Sequence, residues 1–565
     1  ILNEEPEAVS ALRADVPETL QQIVRRMLAK KLQERDQNAQ DIFEDLKGIS
    51  EQKIEPRTST STKTKYAFAI FGTLAVLSVL AFFFIYPQKN NSGTTAVNST
   101  AKIQRIAVLP FTNIRKDPQT DFLGFALADQ IIGSLSYLKN ILVRPSSAIR
   151  KYEKEIIEIA SAGSELRVDY ILTGNYLKQE DLVRLNVELV TVNSNELLWR
   201  ELIEVKYENT FTLQDIVAEK IVNGLKLQFT PDERKGIRGD VPQNPLAYEY
   251  YLRGVAFPHS NIENQLAVKI LKKSIELDSS YAPVFSELGF RLNQIATYTS
   301  SGKSKHSKHS EMAFLKALSL NGKLVSALGG LSAHYTETGQ IEKSVALLRR
   351  SLEINPTNAD NHFYLGYAYR YAGLLEKAKE EMEKALAIDP QNRRFRSIGV
   401  TYMYLGDYKK ALQGFGLDNG SAYCFSFKGQ VYMRMNQPDK ALEYFNLVFE
   451  LEPDGDFSQW VDIMKAYIEG DIEKGLSLAR SSEQIDYTDG EQWYNHANLY
   501  GLLGDEEGCV RLLKKAVEGG FFCYAFMLSD TFLDPVRDNP EFQEVLKSAK
   551  KKHEAFKERF FSDKL

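Results

Sequence analysis

Few of the residues on which chemistry usually turns are present. Three cysteines, Cys424, Cys509 and Cys523, and seven histidines are all that 565 residues offer. They lack the number and spacing of a disulfide framework or a zinc site, so the thiols read as core residues. A charge of one sign is missing too, since 70 Lys and Arg stand against 75 Asp and Glu for a formal net charge of −5. No segment carries the dense basic stripe that neutralises phosphates, and no nucleic-acid partner is expected. Long hydrophobic runs are absent with one exception, Tyr66 to Tyr86 (YAFAIFGTLAVLSVLAFFFIY).

As a helix rising about 1.5 Å per residue, that run is long enough for a hydrocarbon core of about 30 Å. Thr73 and Ser78 are its only hydroxyls, and its ends are aromatic. Lys53, Arg57, Lys63 and Lys65 precede it closely, whereas Lys89 and Lys102 are the nearest cations after it. This asymmetry predicts a single-pass protein of the bacterial inner membrane, amino-terminal side cytoplasmic and carboxy-terminal side extracytoplasmic. Residues 51–65 and 87–101 are polar and aperiodic, and read as linkers. Ile1 in place of Met leads to the expectation that the sequence starts in mid-protein.

Residues 1–50 show two helical patterns, Pro17 to Lys31 and Asn38 to Ile49, with Leu20, Ile23, Val24 and Leu28 on one face. Asp15, Val16, Pro17, Leu20, Ile23, Val24, Leu28, Lys30 and Arg35 resemble the last helices of bacterial Ser/Thr protein kinases of the eukaryotic-like class. Lys31 and Leu32 depart from the usual Asp-Pro. The resemblance implies the truncated end of a kinase C-lobe, with Arg35 in the structural position where the family pairs an arginine with a buried glutamate. No glycine-rich loop, V-A-I-K lysine, H-R-D or D-F-G is present, so the chain as written transfers no phosphate. ATP and Mg are expected only for the missing kinase core, and no cofactor or metal for this chain.

Residues 102–235 read as a small mixed α/β domain. Strands are predicted at Arg105–Phe111, Ile141–Arg144, Tyr170–Leu177, Leu182–Val192 and Glu196–Tyr207, and helices at Asp121–Leu138, Tyr152–Leu166 and Leu213–Leu227. Val183, Leu185, Val187 and Leu189 alternate with Arg184, Asn186 and Glu188, which predicts one buried and one wet face. Ile106-Ala107-Val108-Leu109-Pro110-Phe111, Tyr170-Ile171-Leu172-Thr173-Gly174, Leu198-Trp199 and Leu213-Gln214-Asp215 resemble the TolB-like amino-terminal domain, which implies a docking module. Asp129, Glu201 and Asp215 are acids on element exteriors rather than a catalytic set.

From 244 to 535 the sequence repeats. Tyr335 and Tyr369, Gly339 and Gly373, and Pro356 and Pro390 are each 34 apart, the tetratricopeptide period. Leu365, Gly366, Tyr369, Ala378, Met382, Ala385 and Pro390 hold the packing positions of the clearest unit, and about eight units fit. Cys509 falls at a small-residue position. The stretch Ser301 to Ser310 (SGKSKHSKHS) reads as a solvated basic loop, since the glycine of a phosphate loop is replaced by Thr297 and His306 and His309 have no third ligand nearby. Asn539-Pro540-Glu541 opens a helix within 536–565 that caps the solenoid.

The fold class is therefore multidomain α and α/β: a helical kinase remnant, one transmembrane helix, a small mixed α/β domain and an all-α solenoid. In the repeat register Phe363, Tyr367, Arg370, Tyr371, Arg393, Arg396 and Tyr404 face one concave surface. That surface suits an extended or acidic peptide, unless the arginines pair with repeat acids such as Glu376 and Glu380. The reading that follows is the sensor portion of a membrane-anchored kinase. Its partners are proteins or peptides at the repeats, the membrane at 66–86, the missing kinase lobe, and a second copy through association of two spans. A non-enzymatic membrane scaffold and a cytoplasmic regulator of a transcription or cyclase system are the alternatives.

Overall fold

The computed structural model describes residues 21–22, 103–153, 158–209, 212–225, 240–258, 261–298, 303–483 and 489–561. Apart from 21–22 these belong to one compact unit, Ser99–Leu565. The kinase-tail reading with Arg35 and the span at 66–86 lie outside the described residues. Among the described residues no helix is long and apolar enough to cross a membrane.

The amino-terminal part of the unit is a mixed sheet. Its elements are β1 (Gln104–Val108), β2 (Thr112–Asn113), α1 (Leu123–Leu135), β3 (Ile141–Val143), α2 (Ser146–Ile149), α3 (Ile159–Leu166), β4 (Tyr170–Gln179), β5 (Leu182–Thr191), β6 (Leu197–Lys206) and α4 (Thr212–Gly224). The strand order is β3-β1-β4-β5-β6, with β2 beside β4. β1 runs parallel to β3 and β4, and β4, β5 and β6 form an antiparallel meander. The alternation read in β5 is realised: Val183, Leu185, Val187 and Leu189 are fully buried and Arg184 is exposed. β2 and α2 are too short to leave a period. The helix expected from Tyr152 begins only at Ile159, after a 3₁₀ turn at Arg150–Glu153.

Gly174 in β4 has φ +157°, and a Cβ there would stand 1.9 Å from the Asn186 carbonyl oxygen of β5. Only a bare α-carbon allows the two backbones to pair so closely. Gly174→Ala is expected to cost about 2–3 kcal/mol, as overpacking against backbone cannot be relieved by a rotamer. Denaturant unfolding followed on the sheet-domain transition checks it.

Eight helix pairs follow among the described residues: α5 (Pro245–Ala256) with α6 (Asn261–Leu277), α7 (Ala282–Tyr298) with α8 (Lys303–Leu320), α9 (Val325–Glu337) with α10 (Ile341–Ile354), and α11 (Ala359–Tyr371) with α12 (Leu375–Ile388). Then come α13 (Ile398–Tyr404) with α14 (Tyr408–Phe415), α15 (Ala422–Arg434) with α16 (Pro438–Leu451), α17 (Asp456–Glu469) with α18 (Ile472–Ser482), and α19 (Gly490–Leu502) with α20 (Glu506–Glu518). The fold is thus mostly a helical tetratricopeptide solenoid carrying a small mixed sheet domain. In most pairs the first helix stops on a left-handed residue, as at Gly339, Gly373, Gly406 and Gly504, all with φ of +76° to +78°. The amide one residue later then bonds back into the helix, as in Leu374 to the Tyr369 carbonyl at 2.9 Å. Glycines inside the helices permit close approach: a Cβ at Gly366 would meet Met382 at 2.6 Å, and one at Gly429 would meet Phe445 at 2.2 Å.

Two sequence expectations change here. Residues 303–310 of the stretch read as a loop are helical, because α8 starts at Lys303 and Ser310 is already buried, donating to the Gly289 carbonyl at 2.7 Å. Its Lys, Ser and His side chains mask the helix because the apolar face starts only at its second half. The last helix, α22 (Pro540–Phe561), does more than cover an open end. It packs on α20 and on α21 (Tyr524–Ser529), and also reaches back: Arg349 of α10 donates to the Phe560 carbonyl at 3.1 Å, Arg559 pairs with Glu342, and His553 contacts the Ala372 carbonyl at 2.7 Å.

The sheet domain and the first repeats share one core. Tyr248, Tyr251 and Tyr281 form an aromatic cluster with ring centroids 5.1 to 6.0 Å apart, continuous with the buried side of α1. Polar contacts lock the junction. Gln130 donates to the Tyr251 hydroxyl at 3.1 Å, Arg150 to the Ala256 carbonyl at 3.0 Å and Arg253 to the Gln119 carbonyl at 3.2 Å.

Candidate binding cleft

The inner helices α7, α9 and α11 and a 3₁₀ turn at Arg393–Ser397 wall a cleft of about 230 Å³. It opens into a cavity of about 940 Å³ between the repeats and the sheet domain, and the two share Phe290, Asp360, Tyr364, Arg393 and Arg394. Asn392 shapes the turn by accepting from the Arg394 amide at 3.0 Å. With a period of three, the turn sends Arg393 and Arg396 one way and Arg394 the other. Arg394 grips Asp360 through two bonds of 2.9 and 3.0 Å. Arg393 and Arg396 share a single buried carboxylate, Asp418, Arg393 at 2.7 Å. Two cations on one anion leave the rim positive, and the Arg393 side chain is 69% exposed.

At the sheet-domain end Arg144 is buried and donates to the Leu166 and Arg167 carbonyls at 2.5 and 2.8 Å. Burial lowers its pKa to about 10, against the opposing pull of Asp389. Burial likewise pushes Asp389 up to about 6, with Asp360 adding to the rise. Arg144 Nη1 and Asp389 Oδ2 have no hydrogen-bond partner within the protein, so the wall offers an unsatisfied donor and acceptor. Asp129 is also raised to about 6 by burial, against the hydrogen bond from Ser146. Glu201 pairs with Lys220 at 2.8 Å rather than with Asp129. Among the described residues no group of three or more His, Cys, Asp or Glu could hold a metal. All three cysteines are buried, and burial pushes Cys509 and Cys523 up to about 12, far from nucleophilic at neutral pH.

The seven residues assigned to the concave surface divide into two groups. Phe363 stacks on Phe395 with centroids 4.7 Å apart in the cleft wall, and Arg393 and Arg396 reach its rim. Tyr367, Arg370, Tyr371 and Tyr404 do not line an open surface, because the carboxy-terminal repeats fold across the axis onto them. Arg370, 1% exposed, pairs with Glu491 of α19 at 2.7 Å and donates to the Ser397 carbonyl at 2.8 Å. Tyr404 donates to the other Glu491 oxygen at 3.0 Å, and Tyr371 to Asp489 at 2.6 Å, with Tyr367 bonded to Tyr371 at 2.7 Å. Asp489 is pushed up to about 6 and Glu337 to about 8, in each case by burial first and then by a neighbouring acid. Glu376 and Glu380 pair with Lys379 and Lys377 instead of with the arginines. The closure was hidden because the 34-residue period encodes contacts between neighbours, whereas Arg370 and Glu491 are 121 residues apart. Arg394 was readable, flanked by two arginines already singled out.

Residues 101–220 match the family model of the HilA/YgeH-like transcriptional regulator, second domain, and residues 334–373, 359–392 and 422–454 match tetratricopeptide repeat models. A putative adenylate cyclase 3 of Rhizobium meliloti is 28% identical over 187 residues, 32% of this chain and 32% of that protein. The transcriptional regulator HilA of Salmonella typhimurium is 24% identical over 314 residues, 54% of this chain and 53% of that protein. A solved structure of Pseudomonas aeruginosa pilF covers 38% of this chain and 96% of its own, at 17% identity and a TM-score of 0.30. The chain spans about a third to a half of the length of these two curated relatives.

These matches correct the expectation of a kinase sensor. The sheet domain is similar to the second domain of a transcriptional regulator rather than to a TolB-like module, and neither relative is a kinase. The same regulator matches stand against the extracytoplasmic, membrane-anchored placement; no helix among the described residues is long and apolar enough to cross a membrane, and the run at 66–86 lies outside them. The strand motifs that suggested TolB, such as Ile106 to Phe111, are buried-strand patterns that any sheet of this kind carries.

Proposed function

We propose that this chain is the partner-binding part of a regulator in a transcription or cyclase signalling system, in which the cleft holds an extended acidic segment of another protein. Tetratricopeptide matches and regulator-type relatives support the class. The observation that carries the ligand chemistry is the rim where Arg393 and Arg396 share Asp418. An incoming carboxylate would take Arg393 as a bidentate partner without stranding Asp418, which keeps Arg396. Phe290, Phe363 and Tyr364 beside it supply apolar area at small entropic cost.

The test is fluorescence anisotropy with labelled acidic twelve-residue peptides and their amidated neutral counterparts. Acidic peptides are expected to bind in the micromolar range, neutral ones weakly, and Arg393→Glu to weaken the acidic ones by about tenfold or more. Equal binding of both sets, or affinity unmoved by Arg393→Glu, would remove the acidic-peptide reading.

A further inference from the structure

The two edges of the sheet are treated differently. At the β3 edge the repeats cover the strand, with Thr357 donating to the Ile141 carbonyl at 3.4 Å. At the other edge β6 runs for ten residues, and among the described residues the backbone of Leu197–Val205 is bonded only to β5. Such an edge is a template for another strand. No proline interrupts LLWRELIEVK, and Leu197, Leu198 and Leu202 are exposed, Leu202 at 64%, so its charges and its bulge leave apolar surface along the edge.

The order of residues along β6 identifies the partner. When two copies pair antiparallel about a twofold axis perpendicular to the sheet, each side chain stays on its own face, so the axis must pass through a residue. Centred on Arg200, the pairing sets Arg200 against Arg200. Centred on Glu201 it opposes two glutamates, and centred on Ile203 it opposes Arg200 and Lys206. Centred on Leu202, it opposes Leu202 to Leu202, Arg200 to Glu204 twice, and Trp199 to Val205 twice, with no like charges facing. The neighbouring strand extends this complementarity. Arg184 already pairs with Glu204 at 2.6 Å, and Arg200 with Glu188 at 2.7 Å. Across the axis the row would read Arg184, Glu204, then the second copy's arginine and glutamate, alternating throughout.

We propose that β6 is a homodimerisation edge, two copies joining their sheets into one antiparallel sheet with Leu202 on the twofold axis. The isologous contact closes on itself, so an otherwise open edge ends in a dimer rather than a fibre. The bulge where β6 meets Leu189 and Val190 of β5 ends the regular ladder beside Leu197 and Leu198, which limits slippage beyond this register.

The test uses the full chain in sedimentation equilibrium and an oxidative cross-link. The wild type is expected to be a dimer at micromolar concentration. Arg200→Glu and Glu204→Arg should each weaken it at least about tenfold, and the double variant, which restores opposite pairs, should recover it. Leu202→Cys should form a disulfide between copies under mild oxidant, and the three native thiols are buried. A monomeric wild type, a dimer indifferent to both reversals, or no cross-link at position 202 would overturn the proposal. So would a cross-link from the introduced thiol to a different protein alone, which would give the edge to a foreign strand.

Discussion

Asp530→Ala is expected to destabilise the carboxy-terminal repeats by about 3–5 kcal/mol, read as a lowered denaturant midpoint at unchanged slope. Asp530 is 1% exposed and accepts from Arg434 through two bonds of 3.2 and 3.1 Å, from the Tyr494 hydroxyl and Asn498 amide at 2.9 Å each, and from the Phe532 amide at 3.2 Å. The variant leaves the Arg434 guanidinium, itself 2% exposed, as an uncompensated buried charge over the Phe532 ring. It also strands two side-chain donors, and an unsatisfied buried donor costs about 1–3 kcal/mol. These contributions overlap and do not simply add. Because each repeat is stabilised by its neighbours, hydrogen exchange should accelerate from α19 to α22 and change little in the sheet domain. A loss below about 1 kcal/mol would show that Arg434 finds another acceptor.

The second large effect is expected at the closure of the solenoid. Glu491→Ala removes the partner of a fully buried arginine and the acceptor of Tyr404, and should also cost about 3–5 kcal/mol. Glu491→Gln keeps an acceptor for Arg370 and should cost less. The informative variant is Arg370→Met with Glu491→Met: removing both charges together should recover most of the loss, since the desolvation of the pair disappears with it. Guanidinium unfolding of the four proteins checks the order. If the double methionine variant is no better than Glu491→Ala, the hydrogen bonds from Arg370 to Ser397 and from Tyr404 are what hold the closure, and the charge pair contributes little.

Local rules made much of the fold legible. The period-two alternation of Val183 to Leu189 placed β5, and the strand expected at Glu196–Tyr207 placed β6; the 34-residue spacing of Tyr335, Gly339 and Pro356 with their successors placed the repeats. Each is a statement about residues close in sequence or about one period. The lysine, serine and histidine run opening α8 concealed a helix start because nothing apolar marked its face. The candidate site was half legible: Phe363, Arg393 and Arg396 stand at the cleft, while Arg370, Tyr371 and Tyr404 met residues more than 80 positions away. Superhelical closure depends on small rotations summed over several repeats, which no single residue encodes. The kinship of the sheet domain was misjudged for a related reason, since buried strands look alike whatever they are used for.

The tyrosine cluster of Tyr248, Tyr251 and Tyr281 has a consequence for how the molecule can be cut and recombined. A chimaera that grafts the helical array onto another receiver with a joint near residue 243 would expose three aromatic rings and the apolar side of Leu252 and Val255 to water. Segments spliced there should precipitate, whereas a graft carrying 102–561 whole keeps that surface sealed.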